Sequence, residues 1–229
     1  KDDYLNDLFK SGYSHITDPH GVRGEMYYIP QVSQMPSKLH PTNWVGERST
    51  EFIKRMELKH TSWMLFSSFI HPHPPFALPA PWHKIYRSPD MPLPNVPQNT
   101  DTLLTSINKK QNRYKYRDQG LDNNLIKLIK AYYYGCISYV DFQIGKIIKA
   151  LKNTKQLDNT VVIFTSDHGE HLGDYNSFGK RSMHSTSSRI PLIVRFPGVF
   201  PNNIRITNPT SLIDIAKTCL NLGKIESDD

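Results

Sequence analysis

The sequence has 229 residues, 38% hydrophobic and 21% charged, with 17 prolines and 12 glycines, which fits a globular domain and excludes a disordered or fibrous chain. Twenty-eight Lys and Arg against 21 Asp and Glu leave a net charge of +7, suited to an anionic substrate, a nucleic acid or an acidic membrane face. No apolar run approaches the roughly 20 residues of a membrane span, and no basic and apolar leader is visible in the first residues.

Residues 1–40 are polar and broken by Gly12, Pro19, Gly21, Gly24, Pro30 and Pro36, so they read as loops and short turns. Thr42 or Asn43 can cap a helix over 43–58, with Val45, Phe52, Ile53 and Met56 on one face. The apolar run 63–70 predicts a short strand covered on both faces. It ends at His71-Pro72-His73-Pro74-Pro75. Nine prolines between 72 and 97 predict a long surface excursion without helix or central strand.

From 122 to 152 apolar residues recur at helical spacing, which predicts one long helix. Residues 161–165 and 191–196 are rich in β-branched residues and read as buried strands, joined by a polar loop over 166–189. A last helix is expected over about 210–222, with Leu212, Ile213, Ile215, Cys219 and Leu220 on its apolar positions. Cys136 and Cys219 lie on apolar helical faces and have no metal-binding spacing. Alternating strands and helices predict an α/β layer fold around a mostly parallel sheet.

In such sheets ligands bind beyond the carboxyl ends of strands. Two predicted strand ends are rich in chemistry, one delivering His71 and His73 and the other Ser166-Asp167-His168-Gly169-Glu170-His171. Parallel strands would put both clusters on one edge. Asp167 and His168 suit either a shared cation or a turn with an exposed imidazole. His73 between prolines is either a rigidly aimed proton donor or anion ligand, or a surface residue. Lys180 after Gly179 can neutralise an oxyanion or simply be solvated. Glu170 and His171 read as solvated loop residues, and Arg189 as structural.

Several of these stretches closely resemble the carboxyl-side signature of sulfatases in the alkaline phosphatase superfamily. They are 166–174, Phe178-Gly179-Lys180-Arg181-Ser182-Met183, Arg189-Ile190-Pro191-Leu192-Ile193-Val194 and Pro197-Gly198. The histidine loop 69–76, the long helix around 132–141 and the segment 211–216 agree with the same family. The resemblance implies a three-layer α/β/α sandwich, alkaline phosphatase-like and incomplete. Residues 1–40 would form a variable loop region and 41–222 the motif-bearing α/β part of one partial domain spanning 1–229.

It further implies that Asp167 and His168 are two ligands of a divalent metal, Ca²⁺ by the family's habit, with Mg²⁺ or Mn²⁺ as alternatives. Lys180 would contact sulfate and nucleophile, and His73 would bind sulfate or protonate the leaving alcohol. His184 would face substrate at a position where many relatives carry Tyr or Asn. The implied partner is a sulfated small molecule or glycan, and the implied location periplasmic, secreted, lysosomal or cytoplasmic. No helix-turn-helix, RNP motif or aromatic-lined basic stripe supports nucleic acid.

The family's formylglycine arises in a C/S-x-P-x-R motif, which this sequence does not contain, and Cys136 on the long helix cannot replace it. The family's amino-side Asp pair is missing too. The expectation is therefore a sulfatase fragment, inactive alone, whose amino-side half supplies the nucleophile. One chain of a split enzyme and a degenerate relative are the competing explanations. Phosphonate monoester or phosphodiester hydrolysis, and non-catalytic binding of sulfated glycans, are the alternative functions.

Overall fold

The structure, a computed structural model, describes residues 2–24, 27–59, 61–110 and 122–225. Residues 1, 25 and 26 of the expected loop region lie outside the described residues, and the rest of that region is not all loop. Helix α1 (Asp3–Lys10) is capped by Asp2, which accepts from the Leu5 N–H at 3.0 Å. Its Tyr4 and Leu8 pack with Met35. A cap and two buried side chains are enough to hold eight residues in a helix, without the long apolar stripe that periodicity detects.

Strand β1 (Gln31–Val32) pairs in parallel with β2 (Ala77–Leu78). Helix α2 (Pro41–Glu57) starts earlier than expected, with Pro41 in its first turn and His40 as its cap. Nδ1 of His40 accepts from the Thr42 N–H at 3.2 Å, while Nε2 donates to the Ala77 carbonyl at 3.1 Å. One buried imidazole thus ties the start of a helix to a strand. Thr42 and Asn43, the expected caps, are helical residues.

The run 63–70 forms no strand and lies in neither ladder, and exposure alternates along it. Trp63 and Leu65 pack near Ile53 and Leu151, whereas Met64, Phe66 and Ile70 are 71%, 83% and 47% exposed. One face is covered, not both as expected, because a run of apolar residues reveals that both faces are apolar but not what covers them. The Pro-rich segment differs in the opposite sense. Residues 74–79 are buried, with Phe76 and Leu78 fully so, and the chain runs over the surface only beyond them, through 3₁₀ turns at Trp82–Lys84 and Ser88–Asp90. Proline removes backbone donors but not the capacity to bury carbon.

Helix α3 (Asn123–Asn153) matches expectation along its length and is capped by Asp122, which accepts from Asn124 and Leu125 N–H at 2.7 and 2.9 Å. It packs along α2 and against the Pro-rich segment. Its Ile129, Cys136 and Tyr139 form the main core with Tyr28, Phe76, Leu78, Leu172 and Phe178. Strand β3 (Val162–Thr165) pairs with β4 (Leu192–Arg195) antiparallel, Val162 opposite Arg195 and Thr165 opposite Leu192. These strands were expected parallel and buried, yet Phe164, Ile193 and Val194 are 37%, 61% and 39% exposed. Helix α4 (Leu212–Leu222) opens with a capping box between Ser211 and Asp214, and its Ile213 is exposed. The class is α/β, built among the described residues from one parallel and one antiparallel pair.

Candidate functional site

Four stretches that are distant in sequence converge because each carries an apolar anchor in the main core. Phe76 follows His73, Leu172 follows His168, Phe178 precedes Lys180 and Tyr28 follows Tyr27. Burying such anchors is worth roughly 1.5–3 kcal/mol each. The anchors, rather than a shared parallel edge, bring the His73 ring within 6.2 Å of the His168 ring.

The loop from Ser166 to Arg189 folds back on itself. Gly169 N–H donates to Ser187 at 2.7 Å, Glu170 N–H to Thr186 at 2.9 Å and His171 N–H to Gly179 at 3.0 Å. A side chain at Gly169 would strike the Thr186 carbonyl oxygen, so glycine is required there. Gly179 has φ 84°, a left-handed turn that glycine adopts without strain and that delivers Lys180. The Glu170 carboxylate accepts from the Gly179 N–H, bracing that turn. His171 is 1% exposed and bonded to Ser182 Oγ at 2.9 Å and Thr186 Oγ1 at 2.8 Å. Neither Glu170 nor His171 is the solvated loop residue that composition suggested. Burial, followed by the nearby His184, lowers the His171 pKa.

Tautomers follow from the carbonyls, which can only accept. Nδ1 of His168 lies 2.7 Å from the Gly169 oxygen, so it carries the proton and Nε2 presents a lone pair. Lys180 Nζ donates to that lone pair at 2.5 Å, and Asp167 Oδ2 lies 3.4 Å from the same nitrogen. Nδ1 of His73 donates likewise to Pro74 at 2.7 Å, leaving its Nε2 facing the Tyr27 hydroxyl at 3.5 Å. Burial is the main cause lowering the His73 pKa; the Pro74 carbonyl opposes it, and Lys180, His168 and Arg23 add to it.

Asp167 and His168 fit a divalent cation in donor chemistry, with a hard carboxylate oxygen that is largely exposed beside a pinned imidazole lone pair. They supply two donors, and among the described residues no group of three or more His, Cys, Asp or Glu is placed to hold a metal. His184 sits apart from this pair, stacked on Tyr175 at 4.3 Å and bonded through Nδ1 to Ser182 Oγ at 2.9 Å. His71 turns away into the interior, where Thr42 Oγ1 lies 3.1 Å from its Nδ1. Tyr27 is the site residue that sequence reasoning missed. It lies in the loop region that matched the family only loosely, and no motif marks it.

The Sulfatase family profile matches residues 3–225. Among curated proteins, the chain is 34% identical over 165 residues to an arylsulfatase of Clostridium perfringens, covering 70% of this chain and 33% of that protein. It is 32% identical over 192 residues to the multifunctional alkaline phosphatase superfamily protein PehA of Trinickia caryophylli, covering 79% and 37%. Among solved structures, the phosphonate monoester hydrolase SpPMH of Silicibacter pomeroyi superposes with a TM-score of 0.79 at 25% identity, covering 98% of this chain and 47% of that one. The chain therefore spans about a third of the length of these curated relatives.

Proposed function

The chain belongs to the sulfatase family, with its alkaline phosphatase-like α/β fold, and from that premise we propose that it is part of a metal-dependent sulfatase hydrolysing sulfate esters. The observation that carries the reading is the convergence of the Lys180 ammonium on His168 Nε2, with Asp167 and the His73 ring alongside. An ammonium, two imidazoles and a carboxylate in one cluster suit a tetrahedral oxyanion and its counter-cation.

Asp167 and His168 would hold the divalent metal, Ca²⁺ with Mg²⁺ or Mn²⁺ as alternatives, which when bound supplies positive charge to sulfate oxygens. The Lys180 ammonium binds a sulfate oxygen and counters the charge that builds on it. His73 binds sulfate or gives a proton to the leaving oxygen. Both roles require its imidazolium, because Nδ1–H is committed to Pro74 and Nε2 of the neutral ring can only accept. The nucleophile, a formylglycine, is assigned to an amino-side half outside these 229 residues, since they hold no C/S-x-P-x-R motif. The open apolar face of 63–70 and the exposed side chains of β4 suit a polypeptide that packs on them. By this reading the chain alone is inactive.

A second reading, hydrolysis of phosphonate monoesters or phosphodiesters, is favoured by the similarity to SpPMH, because those groups present the same tetrahedral oxyanion to Lys180. Both are tested in the full-length parent on an aryl sulfate, a phosphonate monoester and a phosphodiester. Lys180→Ala and His73→Ala should each lower kcat by about 100-fold, and the best substrate selects between the readings. Undiminished turnover in both variants overturns the roles. A parent inert on all three esters that still binds a sulfated glycan points to a non-catalytic relative.

A further inference from the structure

We propose that Tyr27 is a positioning residue of this site, its hydroxyl donating to Nε2 of His73 and holding that imidazole in place beside His168. The geometry is a hydroxyl 3.5 Å from Nε2, with the two rings edge to face at 6.0 Å and 83°. Because Nδ1–H is given to the Pro74 carbonyl at 2.7 Å, Nε2 of the neutral ring has only a lone pair, and the tyrosine O–H is the donor. A ring pinned at one nitrogen can still rock about that bond. A second hydrogen bond at the opposite nitrogen removes the freedom.

Tyr27 is itself firmly placed. Its neighbour Tyr28 is buried, packed edge-on to Phe76 at 6.0 Å and against Phe178 at 5.3 Å. Phe76 and Phe178 belong to the stretches that carry His73 and Lys180, so one aromatic cluster sets all three residues. Tyr27 stands edge-on to Tyr28 at 5.1 Å. Burial raises the Tyr27 pKa, with Arg23 and Arg181 pulling down and Glu170 pushing up, so the hydroxyl keeps its proton at neutral pH and remains a donor.

The placement of Tyr27 does not depend on the proposed activity; only its kinetic consequence rests on that reading. With isotope-labelled histidine rings, long-range proton–nitrogen NMR reads the tautomer of His73 directly, assigned by the signal lost in His73→Asn. The expected pattern is a protonated Nδ1 and a bare, hydrogen-bonded Nε2. Tyr27→Phe should move the Nε2 resonance downfield by several parts per million and leave Nδ1 in place, while unchanged signals of the other histidines, buried His40 among them, show that the variant folds. In the full-length parent the same variant should lower kcat about tenfold with little change in KM. An unmoved Nε2 resonance, or an Nε2–H tautomer in the unmodified protein, overturns the placement; a moved resonance with unchanged kcat overturns the positioning role. A parent inert on every ester would defeat the activity and leave the NMR result to decide Tyr27.

Discussion

Acidification should unfold this protein through two buried imidazoles that share one threonine. His40 and His71 are 1% and 6% exposed, with ring centroids 5.0 Å apart. Nδ1 of His40 accepts from the Thr42 N–H, and Nδ1 of His71 faces Thr42 Oγ1. Their other nitrogens bond to the carbonyls of Ala77 and Pro75. A proton added at Nδ1 of His40 therefore displaces the Thr42 N–H, and a proton added to either ring charges a buried group. Burial is the main cause pushing His40 down to about 4, and burial together with His40 holds His71 well below its ordinary range.

The sign follows from proton uptake. Unfolded histidine titrates near 6.5, so from there down to about 4 the unfolded chain binds protons that folded His40 refuses. Stability is full above about pH 6.5 and is lost as pH falls toward 4. At about 1.4 kcal/mol per pH unit, His40 alone costs about 3 kcal/mol by pH 4, and about 2 of these are lost above pH 5, before carboxylates titrate. His71 adds in the same direction. That is a large share of the roughly 5–15 kcal/mol holding a typical domain. Urea unfolding followed by tryptophan fluorescence near neutrality and at about pH 5 should show the midpoint falling steeply, with a visibly shallower fall in His40→Asn. A midpoint that does not move over that range, or the same slope in the variant, refutes the reasoning.

Gly169→Ala should destabilise by about 2–3 kcal/mol, because the new methyl strikes the Thr186 carbonyl and cannot withdraw without breaking the Gly169 and Glu170 bonds to the returning chain; a urea midpoint equal to the parent's would contradict this. Tyr139→Phe should cost about 1 kcal/mol, since the fully buried ring stays packed while its hydroxyl bond to the Ser37 carbonyl at 2.7 Å is lost; thermal unfolding checks it, and no change would mean that the carbonyl finds another donor.

The sequence was most legible where one physical rule acts locally. The long helix over 122–152 was visible because its apolar period persists for eight turns, and α4 because its stripe is strong. Helix α2 was found but its cap was misplaced, since histidine is a rare cap and acts here through a tertiary bond to Ala77 as well. Strand partners were least legible. Apolar runs at 63–70, 161–165 and 191–196 say nothing of pairing direction, and β3 and β4 turned out antiparallel. His73, Asp167, His168 and Lys180 could be singled out because motif spacing marks them. Tyr27, Glu170 and His171 could not, because their placement depends on core contacts and backbone bonds made by residues far away in sequence.

Helix α3 has 31 residues and is therefore a rod about 46 Å long. The supports of His73, Lys180 and Tyr27 all bear on it through Phe76, Phe178 and Tyr28, which share its core. These supports therefore share one rigid backing, and their mutual separations depend on packing against the same helix. Within the loops the site geometry is held by the hydrogen bonds across 166–189. The internal distances of the site are thus set by side chains that share one core backed by a single helix.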